Sequence, residues 1–259
     1  MAGERQPAAA RGSPDFSPLA ALYAQARPGY PAELFAWLAS LVDRRRLAWD
    51  CATGNGQAAL GLARHFDQVV ATDLSLAQLR HAPPHPGIAY VASTAEEAAL
   101  PDKAVDLITV AAAVHWFDLE RYAAEVRRVL RPRGVFAAWT YHVGRVDPPL
   151  DAIFARFYRD VIAPYFPPAV RLVDERYTTL DLPGEDIAVG RTFAVSAVWT
   201  LDQMLAFIGS WSATRQYIQE RGEDPAALIA GELEQIWGAR RRALTVRWPL
   251  DIRITQLDA

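Results

Sequence analysis

The chain has 259 residues, 51% of them hydrophobic, and a formal net charge of −3. That length can bury a substantial core as one domain with an elaboration, and so small a charge excludes the global basicity of a protein that tracks nucleic-acid phosphates. A single cysteine, Cys51, rules out an internal disulfide and any cysteine-cluster metal site.

No run approaches the roughly 20 apolar residues of a membrane span, and no charged-apolar-cleavage pattern opens the chain. The expectation is a soluble cytoplasmic protein, monomer or homodimer, with no metal, nucleic-acid or membrane partner. The arginine runs at 44–46 and 240–242 read as solvated helix flanks.

Residues 1–14 are rich in Ala, Gly, Pro and Arg without periodicity and read as a disordered tail ahead of a single domain over 15–259. Residues 15–46 are expected to form an N-terminal helical cap, in which Pro31 opens a helix carrying Leu34, Phe35, Leu38, Leu41 and Val42 at helical spacing. From 47 to 142 short apolar runs alternate with helical patterns. Strands are expected at 47–50, 69–73, 88–92, 105–110 and 134–140, with helices near 57–65, 75–81 and 119–130. This alternation predicts an α/β, doubly wound, mainly parallel sheet with ligands at the carboxyl ends of its strands.

Residues 143–190 are rich in proline and aromatics and are expected to fold over that edge as a helical insertion, with helices near 150–162 and 168–179. The segment 191–259 completes the sheet, with a strand near 191–198, helices near 201–219 and 224–243, and a last strand from Val246 to Leu257.

Asp50-Cys51-Ala52-Thr53-Gly54-Asn55-Gly56-Gln57 joins the first strand to its helix. Glycines at 54 and 56 permit a tight turn and close approach by a ligand, and the helix start offers unpaired N–H groups. With Ala59 the G-x-G-x-x-A spacing of a dinucleotide loop survives, but Asp50 beside it would repel a pyrophosphate and favour a cation. Asp73 ends the second strand, where a βαβ unit places the acid that grips ribose hydroxyls. Alternatively, it caps the helix that starts at Ser75. A nucleoside with a cationic amino-acid tail, such as S-adenosylmethionine, satisfies both acids.

Further on, Ala95-Glu96, Leu100-Pro101, Val105 to Val110, His115-Trp116-Phe117-Asp118 and Leu130 to Gly134 follow in tight order. With the Asp50 loop, Asp73, and Tyr23 through Arg27 to Pro31, the chain resembles class I S-adenosylmethionine-dependent methyltransferases. The likeness is to the type 11 branch near trans-aconitate methyltransferase-like and embryo-abundant-protein-like sequences, and it is best over residues 16–142. It implies a Rossmann-like seven-stranded sheet with a helical insertion after strand five. It also implies a cofactor site: Gly54, Asn55, Gly56 and Gln57 at the methionine end, Asp73 on the ribose, and Leu74 on the adenine face. Thr94, Ala95 and Glu96 would line the adenine edge, Ala111 would lie near the sulfonium, and Tyr23 and Arg27 would close from the N-terminal segment. Relatives often carry Gln where this chain has Ala112.

The implied activity is methyl transfer to an oxygen or carbon of a small-molecule acceptor, a carboxylic acid or a hydroxyl compound. The competing readings are an NAD-dependent oxidoreductase and a non-catalytic S-adenosylmethionine-binding protein. His115, just past the fourth strand, is the candidate catalytic base; otherwise it braces the Trp116-Phe117 turn. His142 is a second candidate. Asp106 reads as a turn anchor. Asp147-Pro148-Pro149-Leu150 imitates the Asp/Asn-Pro-Pro-aromatic signature of nitrogen methylation, but follows the wrong strand and lacks the aromatic.

Overall fold

The computed structural model describes residues 29–258. Its main sheet runs β3-β2-β1-β4-β5-β9-β6, built from β1 (Leu47–Cys51), β2 (Gln68–Asp73), β3 (Ile88–Ala92), β4 (Val105–Ala111), β5 (Leu130–Thr140), β6 (Glu185–Asp186) and β9 (Asp251–Gln256). The first five strands pair in parallel, and β9 enters antiparallel between β5 and β6. β1 and β4 are buried almost throughout, as strands covered on both faces should be.

One face packs on α1 (Ala32–Ser40) and α2 (Gln57–Leu62), where Leu34, Leu38 and Leu62 are fully buried. The other packs on α4 (Leu119–Val129) through Tyr122, Val126 and Val129; the short α3 (Leu76–Arg80) follows β2. β1 pairs with β2 on one side and β4 on the other, so the chain direction of sheet growth reverses there. Such a switch point leaves a crevice at the strands' carboxyl ends, and the 52–56 loop lies at it.

Asp106 marks the opposite edge. Its fully buried carboxylate accepts from the backbone N–H of Arg46 at 2.8 Å and of Leu47 at 3.0 Å, and pairs with Arg44 and Arg131. It anchors the entry to β1.

The C-terminal half departs from the sequence expectation. α5 (Pro148–Phe157), capped by the Asp147 side chain on Leu150 N at 3.0 Å, runs into a wide turn at Tyr158–Ile162. The helix expected over 168–179 shrinks to a 3₁₀ turn at Pro168–Val170 and the single turn α6 (Arg171–Asp174). It stops because Arg176 and Tyr177 take φ of +55° and +59°, which no right-handed helix accepts. The helix expected at 201–219 divides into α7 (Leu201–Gly209) and α8 (Ser212–Arg221). At the break the hydroxyls of Ser210 and Thr214 bond the carbonyls of Phe207 and Ile208 at 2.6 and 2.7 Å. α9 spans Ala227–Trp237, shorter than its predicted range.

The expected strand from Val246 to Leu257 is two strands. β8 (Leu244–Pro249) pairs with β7 (Ala194–Trp199) in a separate two-stranded sheet, whereas β9 joins the main one. Pro249 offers no N–H to continue the ladder, and Leu250 N turns to Phe193 O at 2.8 Å. Among the described residues no helix is long and apolar enough to cross a membrane.

Candidate functional site

The loop after β1 is built on positive φ angles: Ala52 at +54°, Gly54 at +58° and Gly56 at +85°. Thr53 N bonds Thr72 O at 2.8 Å, and Gly56 N bonds Thr53 O at 3.0 Å. A Cβ on Gly54 would meet nothing within 4 Å among the described residues, whereas a Cβ on Gly56 would lie 2.6 Å from the Tyr90 hydroxyl. Gly56 is the N-terminal cap of α2, and Gln57 is its first residue. Asn55 and Gln57 are half-buried beside it.

Asp50 lies fully buried beneath this loop. Oδ2 accepts from the Thr53 hydroxyl at 2.5 Å and Oδ1 from the Thr109 hydroxyl at 2.8 Å. Burial raises its carboxyl to about 6, against the lowering effect of those bonds. The sequence placed Asp50 toward a cationic ligand; the geometry makes it the buried support of the loop.

Asp73 Oδ2 accepts from Gly54 N and Oδ1 from Ser75 N, both at 2.8 Å. Burial raises this carboxyl as well, against the two backbone bonds. The Ser75 side chain itself caps α3, accepting from Gln78 N. A carboxylate accepts about four hydrogen bonds, so Asp73 keeps capacity for ligand hydroxyls after these two. Leu74, next to it, is 60% exposed. Open backbone at Gly54, a carboxylate with acceptor capacity and an exposed leucine fit an adenosyl group.

Thr94 is exposed and Ala95 half-buried on the loop after β3, which is tied back by Ser93 N on Asp73 O at 3.1 Å. Glu96 accepts from Asp118 N at 3.0 Å, bracing that loop against the start of α4. Ala111 ends β4, half-buried, and Ala112 follows at φ +53° with its N–H on Trp139 O. Tyr23 and Arg27 lie outside the described residues.

His115 sits in a 3₁₀ turn after β4 and is 8% exposed. Its Nδ1 is 2.7 Å from the hydroxyl of Tyr177, a fully buried residue of the insertion that sequence reading missed. Burial pushes the phenol well above its ordinary range, so it keeps its proton. Arg253 of β9 holds the left-handed turn in place, bonding the carbonyls of Tyr177 and Thr178 at 2.9 Å.

Two residues past β5, His142 Nε2 meets Asp174 Oδ1 at 2.9 Å, and the Tyr158 hydroxyl donates to the same oxygen at 2.6 Å. The insertion is thereby bonded to the ends of both β4 and β5. No periodic signal marks Tyr158, Asp174 or Tyr177; their only clue is the aromatic density of 154–177. Among the described residues no group of three or more His, Cys, Asp or Glu is placed to hold a metal ion.

The family model described as a methyltransferase domain matches residues 49–138. The chain is 30% identical over 213 residues to a provisionally named methyltransferase of Dictyostelium discoideum, covering 81% of each protein. It is 25% identical over 251 residues to a provisionally named S-adenosylmethionine-dependent methyltransferase of Saccharomyces cerevisiae, covering 83% of this chain and 86% of that protein. A solved structure, provisionally assigned as a type II methyltransferase from Anaeromyxobacter dehalogenans, is similar with a TM-score of 0.83 and 42% identity, over 90% of this chain and 99% of that one.

Proposed function

Because this chain belongs to the class I S-adenosylmethionine-dependent methyltransferases, we propose that it transfers a methyl group to an oxygen or carbon of a small-molecule acceptor. The observation that carries the cofactor half of this reading is the Asp73–Gly54 hydrogen bond beside open backbone and an exposed Leu74. In this reading Gly54, Asn55, Gly56 and Gln57 face the methionine end, and Asp73 accepts from the ribose hydroxyls. Leu74, Thr94, Ala95 and Glu96 surround the adenine, and Ala111 borders the reacting carbon. Tyr23 and Arg27 are assigned to closure over the cofactor from the resemblance alone.

The cofactor supplies a methyl group on sulfonium, which leaves as a neutral thioether. The chain's own work is to align the acceptor in line with that bond and exclude water. The insertion supports the small-molecule assignment: through Tyr177 and Asp174 it brings buried and half-buried aromatic side chains to the ends of β4 and β5. His115 belongs to the acceptor end.

A labelled-methyl screen over carboxylic acids, phenols and quinones tests the reading. Transfer to one of these classes supports it. Tight cofactor binding with no transfer to any class identifies a non-catalytic binder instead.

A further inference from the structure

We infer that His142, held by Asp174, is the group that takes the acceptor's proton, and that the acceptor is a phenol-class hydroxyl compound. This rests on the methyltransferase reading above.

An ionised carboxylate only accepts, so at the 2.9 Å contact His142 presents Nε2–H to Asp174. When neutral, the ring then carries its lone pair on Nδ1. Tyr158 donates to the same carboxylate oxygen, and its ring meets the His142 ring edge to face at 4.4 Å, which fixes the imidazole plane as well as its tautomer. Asp251, with Arg176 and Arg145 about it, completes the charged surroundings of His142.

His115 is only 8% exposed, and its Nδ1 is taken up by the Tyr177 hydroxyl at 2.7 Å. The His142 side chain is 36% exposed and can pass a proton on to water, so proton removal is assigned to it.

The aromatic cluster that starts at Tyr158, the ring against His142, indicates the acceptor's class. Tyr158 packs against Phe166 at 5.7 Å and Trp211 at 6.1 Å between ring centroids, and all three rings are half-buried. Half-buried aromatics next to a base suit an aromatic hydroxyl. As the acceptor oxygen bonds the methyl carbon, its proton passes to His142 Nδ1. The carbon–sulfur bond breaks with its electron pair remaining on sulfur, and the imidazolium then loses the proton to water.

Two measurements decide the matter. In free protein labelled with ¹⁵N-histidine, added phenol should move the Nδ1 resonance of His142 and leave Nδ1 of His115 unchanged. In transfer assays with panels of phenols and carboxylic acids, His142→Gln should lower kcat on phenols by about 100-fold or more with KM nearly unchanged. His142→Ala should regain activity when imidazole is added. Asp174, a positioning residue, should lower kcat as Asn and recover most of it as Glu. Unchanged kcat in His142→Gln, or an Nδ1 shift at His115 alone, overturns the assignment. Transfer confined to carboxylic acids overturns it while leaving the wider function intact, and transfer to neither panel overturns both.

Discussion

Asp73 Oδ2 accepts a hydrogen bond from Gly54 N at 2.8 Å, tying the ends of β2 and β1 across the sheet's switch point. One carboxylate thus shapes the loop and retains acceptor capacity toward a ligand. Asp73→Ala should remove both contributions. Calorimetry with S-adenosylhomocysteine should show affinity lower by about 10- to 100-fold, that is about 1.4–3 kcal/mol. Unaltered affinity in a folded variant would remove Asp73 from the cofactor site.

Gly56 combines a φ of +85° with a Tyr90 hydroxyl 2.6 Å from where a Cβ would stand. Gly56→Ala should cost about 1–3 kcal/mol in chemical denaturation. Adding Tyr90→Ala should recover the steric part and not the backbone part, so the double variant stays below a Tyr90→Ala control. Equal stabilities for Gly56→Ala and the parent chain would contradict the strain argument.

Asp50 gives a pH signature. Its carboxyl is raised from 3.8 to about 6 in the folded chain, so folding binds its proton more tightly than the unfolded state does. The stabilisation this provides is complete below pH 3.8 and lost as the pH rises through about 6. A shift of this size corresponds to at most about 3 kcal/mol. The stability of the parent chain minus that of Asp50→Asn, from urea melts, should therefore grow as the pH falls from 7 to 4. A difference independent of pH would show that Asp50 does not titrate in this window.

Asp106 should behave as structure alone. Removing its charge leaves Arg131, only 12% exposed, without its partner, so Asp106→Asn should destabilise the fold by about 3–5 kcal/mol. The fraction that remains folded should bind cofactor normally by calorimetry. Weakened binding in that fraction would connect the amino edge of β1 to the site.

The parallel half of the sheet is legible in sequence because buried strands read as apolar runs: β1 to β4 fall close to their expected ranges, whereas β5 starts at Leu130, four residues before the expected 134. Asp73 is legible too, since it ends such a run. Asp50 is legible as a position but not in orientation: its buried bonds to Thr53 and Thr109 depend on β4 lying beside β1. The C-terminal half is less legible because its breaks are tertiary. The turn at Leu250 follows from a bond to Phe193, and Tyr177 keeps its left-handed backbone through Arg253, 76 residues away in sequence. The Asp174–His142 pair, 32 residues apart in sequence, is hidden in the same way.

The most direct measurement is a crystal structure with S-adenosylhomocysteine. The ribose hydroxyls should lie within hydrogen-bond distance of Asp73, the amino-acid tail along Gly54–Gln57, and the thioether beside Ala111. An adenosyl group bound away from the carboxyl ends of β1, β2 and β4, or no binding at saturating ligand, would contradict this placement.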